Sequence, residues 1–472
     1  MPPVVTDEVV WRSALECAAL IRGKELSPVE LTESVLTRID SVNPRLNAFC
    51  LVAHDVARRL AREAEIAVMK GEPLGPLHGV PVSVKDVLFT RGMRTTGGSR
   101  LYADLIPEVD AVPVGRLKAA GAVLLGKTTT SEFGHKAITE SPLFGVTRNP
   151  WNLERTPGGS SGGAAAAVAS GCGPIALGTD GGGSVRIPAA FCGLVGVKPS
   201  YGRVPIGIGF PGWDHVSHVG PLARTVRDAA AVLDVIAGGD DRDRESLPSE
   251  PGPYVDACEG GIKGLNVAWA PNLGFARVEP EVLEITGDAA AEFEALGCHV
   301  EVVNPGWDNL EDVFGTLIAA QFYAAWSDEL PAAEPRLDPT LVKFIRRGGS
   351  ITARDYLRAR ARVAEYWEEV RAFSERFDLL LTPTTAVAPF AAGERPPREI
   401  DGEAVSVLGW MPFTYPFNLT GQPAASVPAG VTAEGVPVGL QIVGRRHADR
   451  AVLAAAAAYE AARPWSGRRP PL

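Results

Sequence analysis

The 472-residue chain is short of cysteine, histidine and positive charge, and each shortage removes a class of function. Its 46 basic residues are outnumbered by 56 acidic ones, for a net charge of −10. That balance offers no basic footprint to a phosphate backbone or an anionic lipid surface, which argues against nucleic acid and membrane as partners. No run of about 18 apolar residues free of charge occurs. Met1 to Val10 carries acidic residues and lacks the basic-then-apolar order of a signal peptide. A cytoplasmic protein is the expectation. Six cysteines (Cys17, Cys50, Cys172, Cys192, Cys258 and Cys298) show no CxxC pairing, which argues against a disulfide framework and a structural zinc site.

What the chain does have is an alternation of helical and strand signals. Val10 to Ile21 is apolar at helical spacing, Ser27-Pro28 reads as the cap and first turn of a second helix through Ile39, and Asn43-Pro44 reads as its break. Ala53 to Lys70 continues as an amphipathic helix. Strands are expected within Gly79 to Leu88, Ala122 to Gly126, Ile175 to Thr179, Gly193 to Lys198, Leu265 to Ala270, His299 to Val303 and Leu379 to Thr382. Between them, Val114 to Ala120, Leu222 to Ile236, Pro280 to Leu296, Thr352 to Arg376 and Ala448 to Ala462 read as helices. Such alternation indicates a mainly parallel sheet. Gly238 to Gly261 is rich in Asp, Arg, Pro and Gly and reads as a surface loop. The expected layout is one domain over 1–472: an N-terminal helical segment (1–75), a catalytic core (76–240), the loop (241–262), and a C-terminal part (263–472) that completes the sheet and the substrate pocket.

The densest anomaly runs from Pro157 to Ser184, where ten of 28 positions are glycine. Ordering a glycine in regular structure costs roughly 0.5–1 kcal/mol, so this concentration points to backbone geometry that a side chain would forbid. A phosphate loop is excluded because no lysine occurs between Lys136 and Lys198. The GxGxxG at Gly207 to Gly212 sits in a loop where no helix can start, and is read as chance. Gly158-Gly159-Ser160-Ser161-Gly162 matches a nucleophile elbow in spelling, but loop residues precede it instead of a strand. Gly181-Gly182-Gly183-Ser184 fits better: consecutive glycines let backbone N–H groups converge as an oxyanion hole beside a serine. Most of the seven histidines (His54, His78, His135, His215, His218, His299 and His447) lie in helical or loop surroundings with no accompanying acid pattern, and each reads as a surface or packing residue. Lys85 is the stronger base. Strand alternation sets it with Ser83 opposite the valines Val80, Val82 and Val84, where desolvation would favour the neutral amine. By position alone, a strand-end lysine that reaches solvent or pairs with Asp86 is the commoner case.

These residues resemble the amidase signature enzymes. The likeness rests on Gly158 to Gly163, on Gly178 to Ala189, on Phe191 to Pro199, on Gly79 to Asp86, on Gly126-Lys127-Thr128 and on Asn418 to Ala424, in the family's order and across nearly the whole chain. The resemblance implies a single α/β/α domain around a large mixed twisted β-sheet and a Ser-Ser-Lys triad. Ser184 would attack the amide carbonyl, Ser160, after a cis peptide bond, would relay the proton, and neutral Lys85 would accept it. N–H groups of Gly181, Gly182, Gly183 and Ser184 would form the oxyanion hole. Asp180 and Arg186 would hold the loop, and Ser161 would support it. Base and oxyanion stabiliser come from the chain, so no metal and no cofactor is called for.

Family resemblance leaves the substrate open. Phe210, Trp213, Trp326 and Trp410, with Phe322, Tyr323 and Phe413 nearby in sequence, are candidates for an apolar pocket or for ordinary core. The expectation is a small-molecule amide with a bulky or aromatic acyl or aryl group, cleaved with water as co-substrate. Alternatives within the family are carbamate or cyclic-amide hydrolysis and the ammonia-supplying role in tRNA transamidation. That branch typically carries glutamine where Ile187 stands. A Ser-His esterase is the alternative from another class. A homodimer is common among similar proteins.

Overall fold

The valine run after Gly79 folds as the strand Pro81–Lys85, buried at every position. Burial on both faces suits a strand between two parallel neighbours, and it has them: Val123–Thr128 on one side and Ile175–Asp180 on the other. In this computed structural model, which describes residues 8–472, these strands belong to a mixed sheet of 11 strands. Residues 1–7, most of the stretch read above against a signal peptide, lie outside the described residues. The spatial order is Phe49–Val52, Val123–Thr128, Pro81–Lys85, Ile175–Asp180, His218–Ala223, Val195–Lys198, Ala424–Val431, Pro437–Gly444, Leu379–Pro383, Asn266–Trp269 and His299–Val302.

Alternate residues along a strand feed different cores, as the two-residue period requires. Leu440 and Ile442 join one apolar cluster with Val452, Ala456 and Phe293, while Val443 joins another with Ala190, Phe191 and Phe377. Helices therefore cover both faces, which is the α/β/α arrangement expected. Among the described residues no helix is long and apolar enough to cross a membrane.

Several local expectations fail for identifiable reasons. The second helix is capped as read, Ser27 Oγ accepting from the N–H groups of Val29 (3.0 Å) and Glu30 (3.3 Å), but it runs through Pro44 to Leu46. Pro44 lies in its last turns, and the helix closes instead at Asn47, in the left-handed conformation, while the Asn43 side chain accepts from the N–H groups of Ala48 and Phe49, both at 2.8 Å. The first 75 residues are not purely helical, because Phe49–Val52 forms an edge strand. Leu222 belongs to the strand His218–Ala223, and the helix begins only at Val226 with Thr225 as cap. A proline and a glycine inside that strand hide it from propensity. The hairpin Ala424–Val431 and Pro437–Gly444 and the helices Glu311–Trp326 and Pro339–Gly348 were not anticipated.

Candidate active site

Lys85 and Thr179 stand at the carboxyl ends of two adjacent parallel strands, the edge where open α/β sheets gather ligands. Lys85 is fully buried, and its Nζ donates to Ser160 Oγ at 2.7 Å and to Thr179 Oγ1 at 2.9 Å. Neither solvent nor Asp86 is its partner: the Asp86 carboxylate instead takes the N–H and hydroxyl of Thr96 and the N–H of Gly98. Burial drives the Lys85 ammonium down to about 7 from an ordinary 10.5, against a smaller opposing pull from Asp180. A substantial fraction of the amine is therefore neutral near pH 7.

Ser160 follows a cis peptide bond from Gly159. Its neighbour Ser161 ties three segments together: its N–H donates to the Ser184 carbonyl at 3.2 Å, its Oγ donates to the Thr179 carbonyl at 3.2 Å and accepts from the Thr179 N–H at 3.3 Å. The buried helix Gly162–Ala169 then carries the chain away. Its fully apolar surface explains why alanines, not a polar linker, follow the glycines.

The loop from Gly181 to Ser184 is held from beneath by a buried ion pair. Arg186 grips Asp180 through Nε to Oδ2 (2.9 Å) and Nη2 to Oδ1 (2.8 Å), and reaches Thr414 O, Gln441 Oε1 and Asn418 Oδ1. Burial alone would raise the Asp180 carboxyl, but the Arg186 guanidinium, Lys198 and the Asn418 amide together outweigh it and hold the group far below the usual carboxylate range. Asp180 also accepts from the Gly183 N–H at 2.7 Å. This corrects one expectation: Gly183 points its donor at the carboxylate and has none left for an oxyanion. Among the described residues, the N–H groups of Gly181, Gly182 and Ser184 meet no acceptor. Gly183 has φ 127°, and a Cβ there would lie 2.5 Å from Thr414 Oγ1, whose hydroxyl donates to Gly182 O. A side chain would expel the anchor that shapes the loop.

Ser160, Thr179, Gly181 and Ser184 line one cavity of about 740 Å³. No described residue hydrogen-bonds the Ser184 hydroxyl, so a Ser160–Ser184 proton relay requires a contact that closes during the reaction. Phe210 and Trp213 line the cavity as expected, together with Phe133. Trp326 and Trp410 do not: Trp326 stacks behind Phe133 with ring centroids 4.3 Å apart, and Trp410 packs against Phe390 and Phe191 in the core. Trp213 is fixed by its Nε1–H to Phe133 O (2.9 Å) and lies over Gly181, where a Cβ would come within 2.5 Å of the ring.

Sequence reasoning missed Thr179 as a partner of Lys85, although strand pairing of Val84 with Leu177 already sets the ends of the two strands side by side. It also missed the other wall of the cavity. Tyr201, His215, Arg242 to Glu245 and Tyr356 line it, so the stretch read as a surface loop reaches the site. No histidine hydrogen-bonds Ser160 or Ser184 among the described residues; His218 is buried against Asp180 O (3.2 Å) and Val216 O (2.8 Å).

Known proteins share both this sequence and this fold. The amidase family model matches residues 30–453. An acylamidase from Rhodococcus erythropolis is 42% identical over 98% of this chain and 97% of its own length. A glutamyl-tRNA(Gln) amidotransferase subunit from Moorella thermoacetica is 37% identical over 98% of this chain and 99% of its own. Among solved structures, a bacterial aryl acylamidase of the amidase signature family superposes with a TM-score of 0.93 at 36% identity, covering 99% of this chain and 100% of that one. A 6-aminohexanoate cyclic dimer hydrolase superposes with a TM-score of 0.89 at 34% identity, over 98% and 99%. Matched along nearly its whole length in sequence and in fold, the chain belongs to the amidase family, the amidase signature enzymes.

Proposed function

We propose that this amidase hydrolyses amides bearing a bulky or aromatic acyl or aryl group, through an acyl-enzyme on Ser184. The observation that carries the reading is the buried amine of Lys85, with a pKa near 7, held 2.7 Å from the Ser160 hydroxyl. Ser184 Oγ bonds to the carbonyl carbon while its proton passes to Ser160 and the proton of Ser160 passes to Lys85. The carbonyl oxygen becomes an oxyanion facing the N–H groups of Gly181, Gly182 and Ser184, each well-aimed donor being worth roughly 2.7–4 kcal/mol. The relay then returns a proton to the amine nitrogen, the C–N bond breaks, and water releases the carboxylate by the reverse path. Asp180, Arg186 and Ser161 act by holding the loops.

The aromatic wall of Phe133, Phe210 and Trp213 supports a bulky group beside the scissile carbonyl. The aryl acylamidase relative agrees with that preference, and the acylamidase relative with an amide substrate. The amidotransferase relatives at comparable identity keep an ammonia-supplying role as the second reading; against it stands Ile187 where that branch typically carries glutamine. Purified enzyme incubated with an aryl amide should give an acyl adduct on Ser184 by mass spectrometry, absent from Ser184→Ala. An adduct on Ser160, or activity that survives Lys85→Ala but not His447→Ala, would reverse the assignment. Equal turnover of acetamide and an aryl amide would refute the substrate preference.

A further inference from the structure

The catalytic scheme leaves one group of ionisable side chains on the cavity wall without a task. Tyr201, His215 and Glu245 come from three separate stretches of loop and all line the cavity. The Tyr201 hydroxyl donates to Glu245 Oε2, and His215 Nδ1 lies 3.0 Å from Glu245 Oε1. His215 is held at φ 63°, a left-handed conformation in which Asn, Asp and His are the enriched non-glycine residues. A carboxylate offers only acceptor sites, so a proton on Nδ1 is the arrangement this 3.0 Å approach favours. The opposite nitrogen, Nε2, makes no hydrogen bond among the described residues. The charged neighbours are mostly engaged elsewhere: Arg242 grips Asp240 at 2.8 and 2.7 Å, and Asp243 accepts from the N–H groups of Ile206 (2.9 Å) and Glu245 (3.1 Å). Arg244 and Asp214 also line this wall and have no side-chain partner among the described residues.

We propose that His215, oriented by Glu245 and Tyr201, binds an amphiprotic group, a hydroxyl or a second amide, on the part of the substrate remote from the scissile carbonyl. The neutral ring presents a lone pair at Nε2 and the protonated ring presents an N–H, and a group that both donates and accepts satisfies either form. At about 740 Å³ the cavity has room for such a tail together with an aromatic group. The inference rests on the amidase reading of the site and adds a second specificity element to it.

The test uses N-alkyl benzamides of matched length ending in a methyl, a hydroxyl or a carboxylate. The expected kcat/KM for the hydroxyl compound exceeds that for the methyl compound by about five- to tenfold, the net worth of one hydrogen bond. His215→Asn keeps a residue that tolerates the left-handed backbone and should bring that ratio to about one, and Glu245→Gln should lower it. Equal kcat/KM for the two compounds in the wild-type enzyme overturns the proposal. So does a preference for the carboxylate with no gain for the hydroxyl, which would assign the wall to Arg244. Hydrolysis of none of the three would count against the amidase reading instead. The subsite is then read by calorimetry on Ser184→Ala: about five- to tenfold tighter binding of the hydroxyl compound than the methyl compound supports it, and equal affinity overturns it.

Discussion

Replacing Lys85 by methionine should lower activity while raising stability at pH 6 and lowering it at pH 10. In the folded protein the ammonium has a pKa of about 7 against an ordinary 10.5, burial being the cause. The folded value lies below the unfolded one, so between them the unfolded chain binds more protons and stability rises with pH. Above about 10.5 the amine is neutral in both states and its burial costs nothing electrostatic; below about 7 it is charged in both and the full penalty applies. The gap between the two values is worth roughly 5 kcal/mol. Methionine has a similar length and no charge, but it leaves the hydroxyls of Ser160 and Thr179 without their donor, a loss of about 1 kcal/mol each. The variant should therefore be more stable than wild type at pH 6 by about 2–3 kcal/mol, and less stable at pH 10 by about 1–2 kcal/mol. Urea unfolding followed by tryptophan fluorescence at the two pH values reads the crossover. Hydrolysis should fall by about 10²–10⁴ with loss of the base. In the wild type, kcat/KM should climb about tenfold between roughly pH 6 and 8 as the amine deprotonates. A variant equally destabilised at both pH values would show that Lys85 carries no desolvation penalty, and the proposed base would be lost.

Thr179→Val removes the second acceptor of the Lys85 amine, which favours the charged form; kcat should drop about five- to tenfold and the acid limb of the pH profile should move to lower pH. Arg186→Gln leaves Asp180 buried without its guanidinium and should cost about 3–5 kcal/mol in urea unfolding. Wild-type Asp180 is depressed in the fold, so its stabilisation is fully present above its unfolded value of 3.8 and is lost as pH falls; in the variant burial raises the carboxyl instead, so the gap between the two should begin to shrink above pH 3.8 and go on shrinking in acid.

Elements with strong local signals were readable in the chain. The helix cap at Ser27, the helical period from Thr352 to Arg376, the valine run of Pro81–Lys85 and the apolar run of Leu379–Pro383 announce themselves through a period or a cap residue. The strand His218–Ala223 was not readable, because Gly220 and Pro221 are tolerated there only by the neighbours it pairs with. The strand Ala424–Val431 was hidden similarly by its alanines, Pro428 and Gly430; its partner Pro437–Gly444 carries the strand alternation Val438, Leu440 and Ile442, and its Gly439 packs against Ala190 of a helix distant in sequence.

By itself the sequence determined the parts of the proposed site: two serines, a lysine and a run of glycines whose pattern resembles a histidine-free nucleophile. Only the tertiary structure decided how those parts are used. Whether the Lys85 amine is neutral depends on the layers that bury it, and which of the consecutive N–H groups stay free depends on Asp180 capturing that of Gly183. The wall built from Tyr201, His215 and Glu245 is likewise invisible in one dimension. Desolvation and convergence are properties of the packed volume around an atom, and residues far apart in the chain fill that volume.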